Sequence, residues 1–311
     1  MKEKIFNLVI VFISLFVLIQ LLIKKSIIYS SIMYALKLWV NNLIPSLFPF
    51  FIISDILINY NIINYIPKNI KNICKKAFNI TDNMLTILIL SMFSGFPTNA
   101  RVSRSLYDKG CISIDEANHI LLFSHFANPI FILTTIGSFF LHNEKIGVII
   151  LISHYLSNII LGIIFRSNSK YDENTINKNI NKQNFGIVFI NAIKKGIDTI
   201  TLICGIIVIF LMLSTIVVDT FNLDSYSTMI IKGLFEITIG IEALGKLNLN
   251  ICYKAIIASC LVSFGGISVH VQTISQIIGT NIKYIYFFIG RMYQMILSGL
   301  ITYIMCILFK I

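Results

Sequence analysis

Two short interruptions carry the residue types best suited to ligand chemistry. The first reads Ser94-Gly95-Phe96-Pro97-Thr98-Asn99-Ala100-Arg101, and the second Gly265-Gly266-Ile267-Ser268-Val269-His270-Val271-Gln272. Both are flanked by apolar sequence, and they align without gaps, small residues and glycine first and polar residues at matching offsets after. A helix restarting after such a break presents unpaired N–H groups and the positive end of its dipole, which suits a carboxylate or phosphate. Pro97 fits a first-turn position, where its missing donor costs nothing. Asn99, Arg101 and Arg104 trail the first restart at helical spacing, as His270 and Gln272 trail the second.

Arginine stays charged when desolvated and grips a carboxylate with two parallel hydrogen bonds, so Arg101 is the leading candidate. The alternative is an arginine that reaches the membrane interface, since Asp108-Lys109-Gly110 lies one or two turns away. His125, beside an Asn128-Pro129 break, reads as a cavity residue or a satisfied core histidine, and His154 and His270 carry the same ambiguity. The acids Asp55, Asp219 and Glu236 either couple protons or cap, pair and face the interface. The expected substrate-binding set is Ser94, Gly95, Asn99, Arg101, Arg104, His125, Asn128, Gly265, Gly266, Ser268, His270 and Gln272.

Other chemistries find no support in the sequence. There is no G-x-S-x-G, no H-E-x-x-H and no phosphate-binding glycine loop before a lysine, so no enzyme is expected. The six cysteines form no C-x-x-C pair and none lies at zinc spacing from a histidine, so neither a metal nor a cofactor is expected. The formal charge of +11 is dispersed among apolar segments. That pattern fits positive-inside loops and anionic lipid headgroups, not nucleic acid.

The elements that must position these residues are membrane helices. Charged residues make up 13% of the chain, against about 25% in a soluble domain. So few charges cannot cover a water-facing surface. The expected fold is an all-α polytopic integral membrane protein with two related halves and broken transmembrane helices. Residues 1–30 hold an N-terminal helix, with Ile5–Ile23 long enough to span and no cleavage site after it. The halves are 31–166 and 185–311, joined by the polar Asn/Lys-rich linker 167–184. Each half opens with a polar helical stripe, Tyr34, Lys37 and Asn41 in one and Asn191, Lys194, Lys195 and Asp198 in the other. These stripes read as helices lying along the headgroups, with Trp39 at the interface, before the chain turns into Pro45–Ile58 and Ile200–Val218.

The broken helices are expected at Asp82–Phe93 with Pro97–Lys109, and at Ile251–Ser263 with Ser268–Ile278. Gly110 suits a left-handed cap, and Ser113 with Glu116 makes a capping box for a helix over Ile114–Phe126. That run stops at Asn128-Pro129 and resumes to about Phe140. Ile146–Phe165, an unbroken Tyr226–Leu244 and Tyr284–Phe309 complete the set. Interruptions at corresponding places in two halves are a pointer to a transporter binding site.

Three ordered motifs between Trp39 and Gln276 resemble a known family. They are Leu43-Ile44-Pro45-Ser46-Leu47-Phe48-Pro49-Phe50-Phe51, then Ser94-Gly95-Phe96-Pro97 with Leu106-Tyr107, Gly110, Ile112-Ser113, Glu116-Ala117 and Pro129-x-Phe131, then Phe264 to His270 with Gln272. Together they look like the YlbJ/SpoVV sporulation integral membrane proteins, in the nucleoside-recognition or Gate domain group that is similar to concentrative nucleoside transporters. The resemblance implies transport of dipicolinic acid, a small rigid aromatic dianion, from the mother cell across the outer forespore membrane. Asn128 departs from the small residue expected before Pro129. The resemblance leaves two rivals open: a nucleoside transporter of the same fold, and a non-transporting assembly factor with a spore-envelope protein partner. A homo-oligomer is compatible with each, and the coupling ion is not legible.

Overall fold

The computed structural model describes residues 2–167, 171 and 184–311. Most of the polar segment expected as a linker lies outside the described residues. The described chain is helical, with no strand among the described residues. Six of its helices are long and apolar enough to cross a membrane, seven if the bent pair Lys68–Phe78 and Asp82–Ser94 is one span. The protein is therefore a polytopic helical membrane protein.

Helix α1 (Lys2–Ile23) exposes its isoleucines, leucines and phenylalanines all round, as a lipid-facing helix does. Helix α2 (Lys25–Leu38) runs through a π-helical turn, Trp39–Leu43, into α3 (Ile44–Asn59), making one 35-residue element. The expected headgroup-lying helix followed by a turn is thus corrected. Pro45 cannot donate, and its ring crowds the carbonyl one turn back. The wider π turn makes room for it without ending the helix.

The corresponding element after the linker is α9 (Phe185–Thr220), 36 residues long, which likewise continues straight from its polar stripe. The two long helices pack through Ala35, Leu38, Leu47 and Phe51 against Ile200, Ile203, Ile207 and Leu211. Trp39 lies on this seam, donating from Nε1 to the Ile200 carbonyl at 2.9 Å.

Between them, α4 (Lys68–Phe78) bends by 96° into α5 (Asp82–Ser94). After the break comes α6 (Thr98–Asp108), and Gly110 takes the expected left-handed conformation at φ +67°. Helix α7 (Ile114–Leu121) starts on the expected capping box, in which Ser113 and Glu116 satisfy each other's backbone N–H groups. It ends at Leu121, not Phe126, and 124–128 is irregular. The chain resumes at Pro129 and continues as a π-helix over Phe131–Phe140, followed by α8 (Glu144–Ile164).

The expected continuous helix over Tyr226–Leu244 is split in two, α10 (Ser225–Phe235) and α11 (Ile237–Lys246). Glu236 stands extended between them. Its carboxylate accepts from the Thr238 and Ile239 N–H groups at 2.8 and 3.2 Å and caps α11. The arms then fold back so closely that a Cβ on Gly240 would lie 2.2 Å from the Gly233 Cα. Three helices complete the chain: α12 (Ile251–Phe264), α13 (Gly266–Ile277) and α14 (Tyr284–Leu308). The second interruption is a kink at Gly265 inside a 27-residue span, Ile251–Ile277.

Candidate functional site

Both interruptions meet the irregular segment 124–128. Gly95 has φ +76°, and a Cβ there would fall 2.8 Å from the Asn128 nitrogen, so the first break needs glycine for conformation and for space. Its Phe96, joined to Pro97 by a cis peptide, stacks on the His125 ring with centroids 5.2 Å apart. Gly265, at φ +96°, faces the same imidazole, with His125 Nε2 3.6 Å from where a Cβ would sit. Phe287 of α14 meets His125 edge-on, centroids 5.0 Å apart. His125 is therefore wedged between the two breaks.

Backbone groups freed by a break cannot be left bare in a bilayer, and several predicted residues serve that need. Asn128 donates to the Ser46 and Phe93 carbonyls at 3.0 and 3.1 Å, and accepts from the Ile130 N–H at 2.8 Å. His270 donates from Nε2 to the Phe264 carbonyl at the end of α12, 3.1 Å away. With that proton placed, its Nδ1 accepts from the Tyr284 hydroxyl at 2.7 Å. Ser94 pairs with Ser54 of α3 at 2.7 Å.

The two predicted arginines lie away from this wedge. Arg101 is ion-paired with Asp55 at 2.9 Å and donates to the Phe51 carbonyl at 3.1 Å. Arg104 bonds Asp108 and the Ile278 carbonyl, partly exposed.

Another group of predicted residues is buried without any hydrogen-bond partner: Asn99, Ser268 and both ring nitrogens of His125. Thr98, Ser103, Ser124 and Thr273, which sequence reasoning missed, share that condition. Buried polar side chains are normally satisfied, and leaving one bare costs ~1–3 kcal/mol. Thr98, Asn99 and Ser103 lie on α6, Ser268 and Thr273 on α13, and Ser124 and His125 on the segment 124–128, so these groups gather around the two breaks.

The largest omission from the sequence reading is Arg291. It sits on α14, fully buried. Its guanidinium reaches only neutral acceptors, the His125 and Leu122 carbonyls at 3.3 and 3.4 Å and Asn158 Oδ1 at 3.5 Å, and lies 5.3 Å from the Phe287 ring centroid. It has no acidic partner among the described residues. An arginine about two turns into the last apolar run was a visible signal, since intramembrane charges are rare and functional by default. Nearby, His154 accepts at Nε2 from the Ala127 N–H, 2.9 Å, and bonds Ser263 through Nδ1. That imidazole is a strut for the irregular segment.

The centre is closed. A cavity of about 20 Å³ is lined by Phe96, Asn128, Glu236, Val269 and Gln272, room for about one water. Gln272 and Glu236 thus join the two breaks to the third one. From this cavity α6 and α13 run side by side toward a charged pocket of about 390 Å³, where Arg104 meets the end of α13. Both arms therefore start at the centre and point their positive dipole ends into it.

The chain is 25% identical over 296 residues to the sporulation integral membrane protein YlbJ of Bacillus subtilis (strain 168), covering 83% of this chain and 72% of the relative. This chain is a YlbJ homologue. The match covers most of both chains. No family model matches the chain, and no solved structure matches it.

Proposed function

We propose that the protein is a membrane transporter for a small organic anion, with its substrate site where the interruptions of α5–α6 and α12–α13 meet Arg291. The observation that carries this reading is Arg291, a fully buried cation without an acidic partner among the described residues. A buried charge is tolerated when something of opposite charge completes it. Two half-helix dipoles and the bare polar groups of Thr98, Asn99, Ser268 and His125 favour the same kind of guest.

The relative YlbJ is a sporulation membrane protein by name, and from the motif resemblance we take dipicolinate as the proposed guest and the outer forespore membrane as the proposed place of action. A rigid dicarboxylate would satisfy Arg291 with one carboxylate and the helix starts with the other. Transport by alternating access requires the closed centre to open toward each face in turn.

The test is uptake of dipicolinate into proteoliposomes holding the purified protein, with uridine as competitor. Saturable uptake that uridine leaves untouched is expected. Vesicles that take up no dipicolinate, or take it up in competition with uridine, overturn the reading, the latter in favour of a nucleoside.

A further inference from the structure

The charged pocket beyond α6 is lined by Asp55, Arg101, Arg104, Lys109, Lys195 and Asp198 among others. Four cations (Arg101, Arg104, Lys109 and Lys195) face three acids (Asp55, Asp108 and Asp198). Arg104 and Asp108 neutralise each other at 2.6 Å. Burial, with Lys195 nearby, holds the Lys109 ammonium below its usual pKa. At the floor stands the Arg101–Asp55 pair, both side chains more than nine-tenths buried.

That pair is incomplete. Asp55 takes a single bond from one terminal nitrogen of Arg101, a second nitrogen is spent on the Phe51 carbonyl, and Nε is buried without a partner. A carboxylate that engages an arginine well uses two parallel bonds. The guanidinium, over the Phe51 ring at 4.9 Å, thus retains an unused donor. Arg101 also lies two residues beyond Asn99 on α6, within one helical turn of the central groups. On α3, Ser54 holds Ser94 of the first break while the next residue, Asp55, holds Arg101. The pair therefore stands between the pocket and the centre and is tied to the break itself.

We propose that this pocket is an entry subsite for a small carboxylate, in which Asp55 is a resident stand-in that the incoming carboxylate displaces from Arg101. Displacement frees α3 from α6 and opens the way to the central site. The subsite rests on the anion-transport reading for its ligand, but its position and partners are separate from those of Arg291.

The experiment measures dipicolinate binding to the full-length protein in detergent by titration calorimetry, with succinate as a second dicarboxylate. Variants are compared in an Arg291→Gln background, so that the central site contributes nothing. There, Asp55→Asn is expected to tighten binding by about tenfold or more, because the competing carboxylate is gone. Arg101→Gln is expected to abolish it. Since Arg101→Gln alone leaves Asp55 buried and unpaired, Asp55→Asn/Arg101→Gln is made as well, and it too should bind nothing. Binding unchanged or weakened by Asp55→Asn, or retained by the double variant, overturns the entry subsite. Normal uptake by Arg291→Gln alone would overturn the central site while leaving this result standing.

Discussion

Replacing Arg291 with methionine separates a ligand-binding cation from a structural one. The side chain is similar in length, so the packing against Phe287 is largely kept. What is lost in the folded protein is three long hydrogen bonds of 3.3, 3.4 and 3.5 Å. At good geometry a bond from a charged group is worth ~1.5–3 kcal/mol, but these three, at 3.3–3.5 Å, lie beyond the normal N–H···O range and contribute much less each. Against this stands the desolvation of an unpaired guanidinium, several kcal/mol. Without an anion, Arg291→Met should therefore be as stable as the parent or more so.

With an anion the order reverses. Two charge-assisted bonds to a carboxylate contribute ~1.5–3 kcal/mol each, so their loss weakens affinity by ~10²–10⁴-fold. At a ligand concentration of 100 times the parent's Kd, the parent gains ~2.7 kcal/mol of stability from binding and the variant almost none. Thermal unfolding in detergent, with and without dipicolinate, reads both signs, and uptake reads the consequence. A variant that unfolds several degrees earlier without ligand would make Arg291 a clamp for the 122–125 carbonyls. A ligand-induced shift equal to the parent's would refute the reasoning outright.

Two further predictions concern the fold. Gly240→Ala should lower the unfolding temperature by several degrees or prevent insertion, because its Cβ would fall 2.2 Å from backbone. Gly205→Ala is the control: nothing lies within 4 Å of its Cβ, so stability should be unchanged or slightly raised, as measured in the same melts. Glu236→Ala removes the cap of α11 and should cost ~0.5–2 kcal/mol, read as a lower melting temperature and faster hydrogen exchange at Thr238 and Ile239.

Much of the scaffold was legible because its code is local. Long apolar runs with few charges dictate membrane helices whatever lies beside them. Glycine at 95 and 265 and proline at 97 stop a helix through backbone sterics alone. The box at Ser113 and Glu116 closes within one turn. These features placed α5, α6, α7, α12, α13 and α14 within a residue or two at most boundaries. The exceptions were also local in origin but hidden by composition. The break at Glu236 carries no glycine or proline at its pivot, and an acid in an apolar helix reads equally as a paired side chain. The π turn at 39–43 carries α2 into α3 as one element where a headgroup-lying helix followed by a turn was expected.

The sequence by itself determined where this chain breaks and that polar groups gather there. Only the tertiary structure decided which charge is free. Arg101 and Arg291 look alike in sequence, each an arginine near apolar residues. Asp55 reaches Arg101 across 46 residues, whereas Arg291 meets His125 from 166 residues away and finds only its carbonyl. Whether a buried cation is satisfied depends on which distant segment packs against it, and no spacing along the chain encodes that.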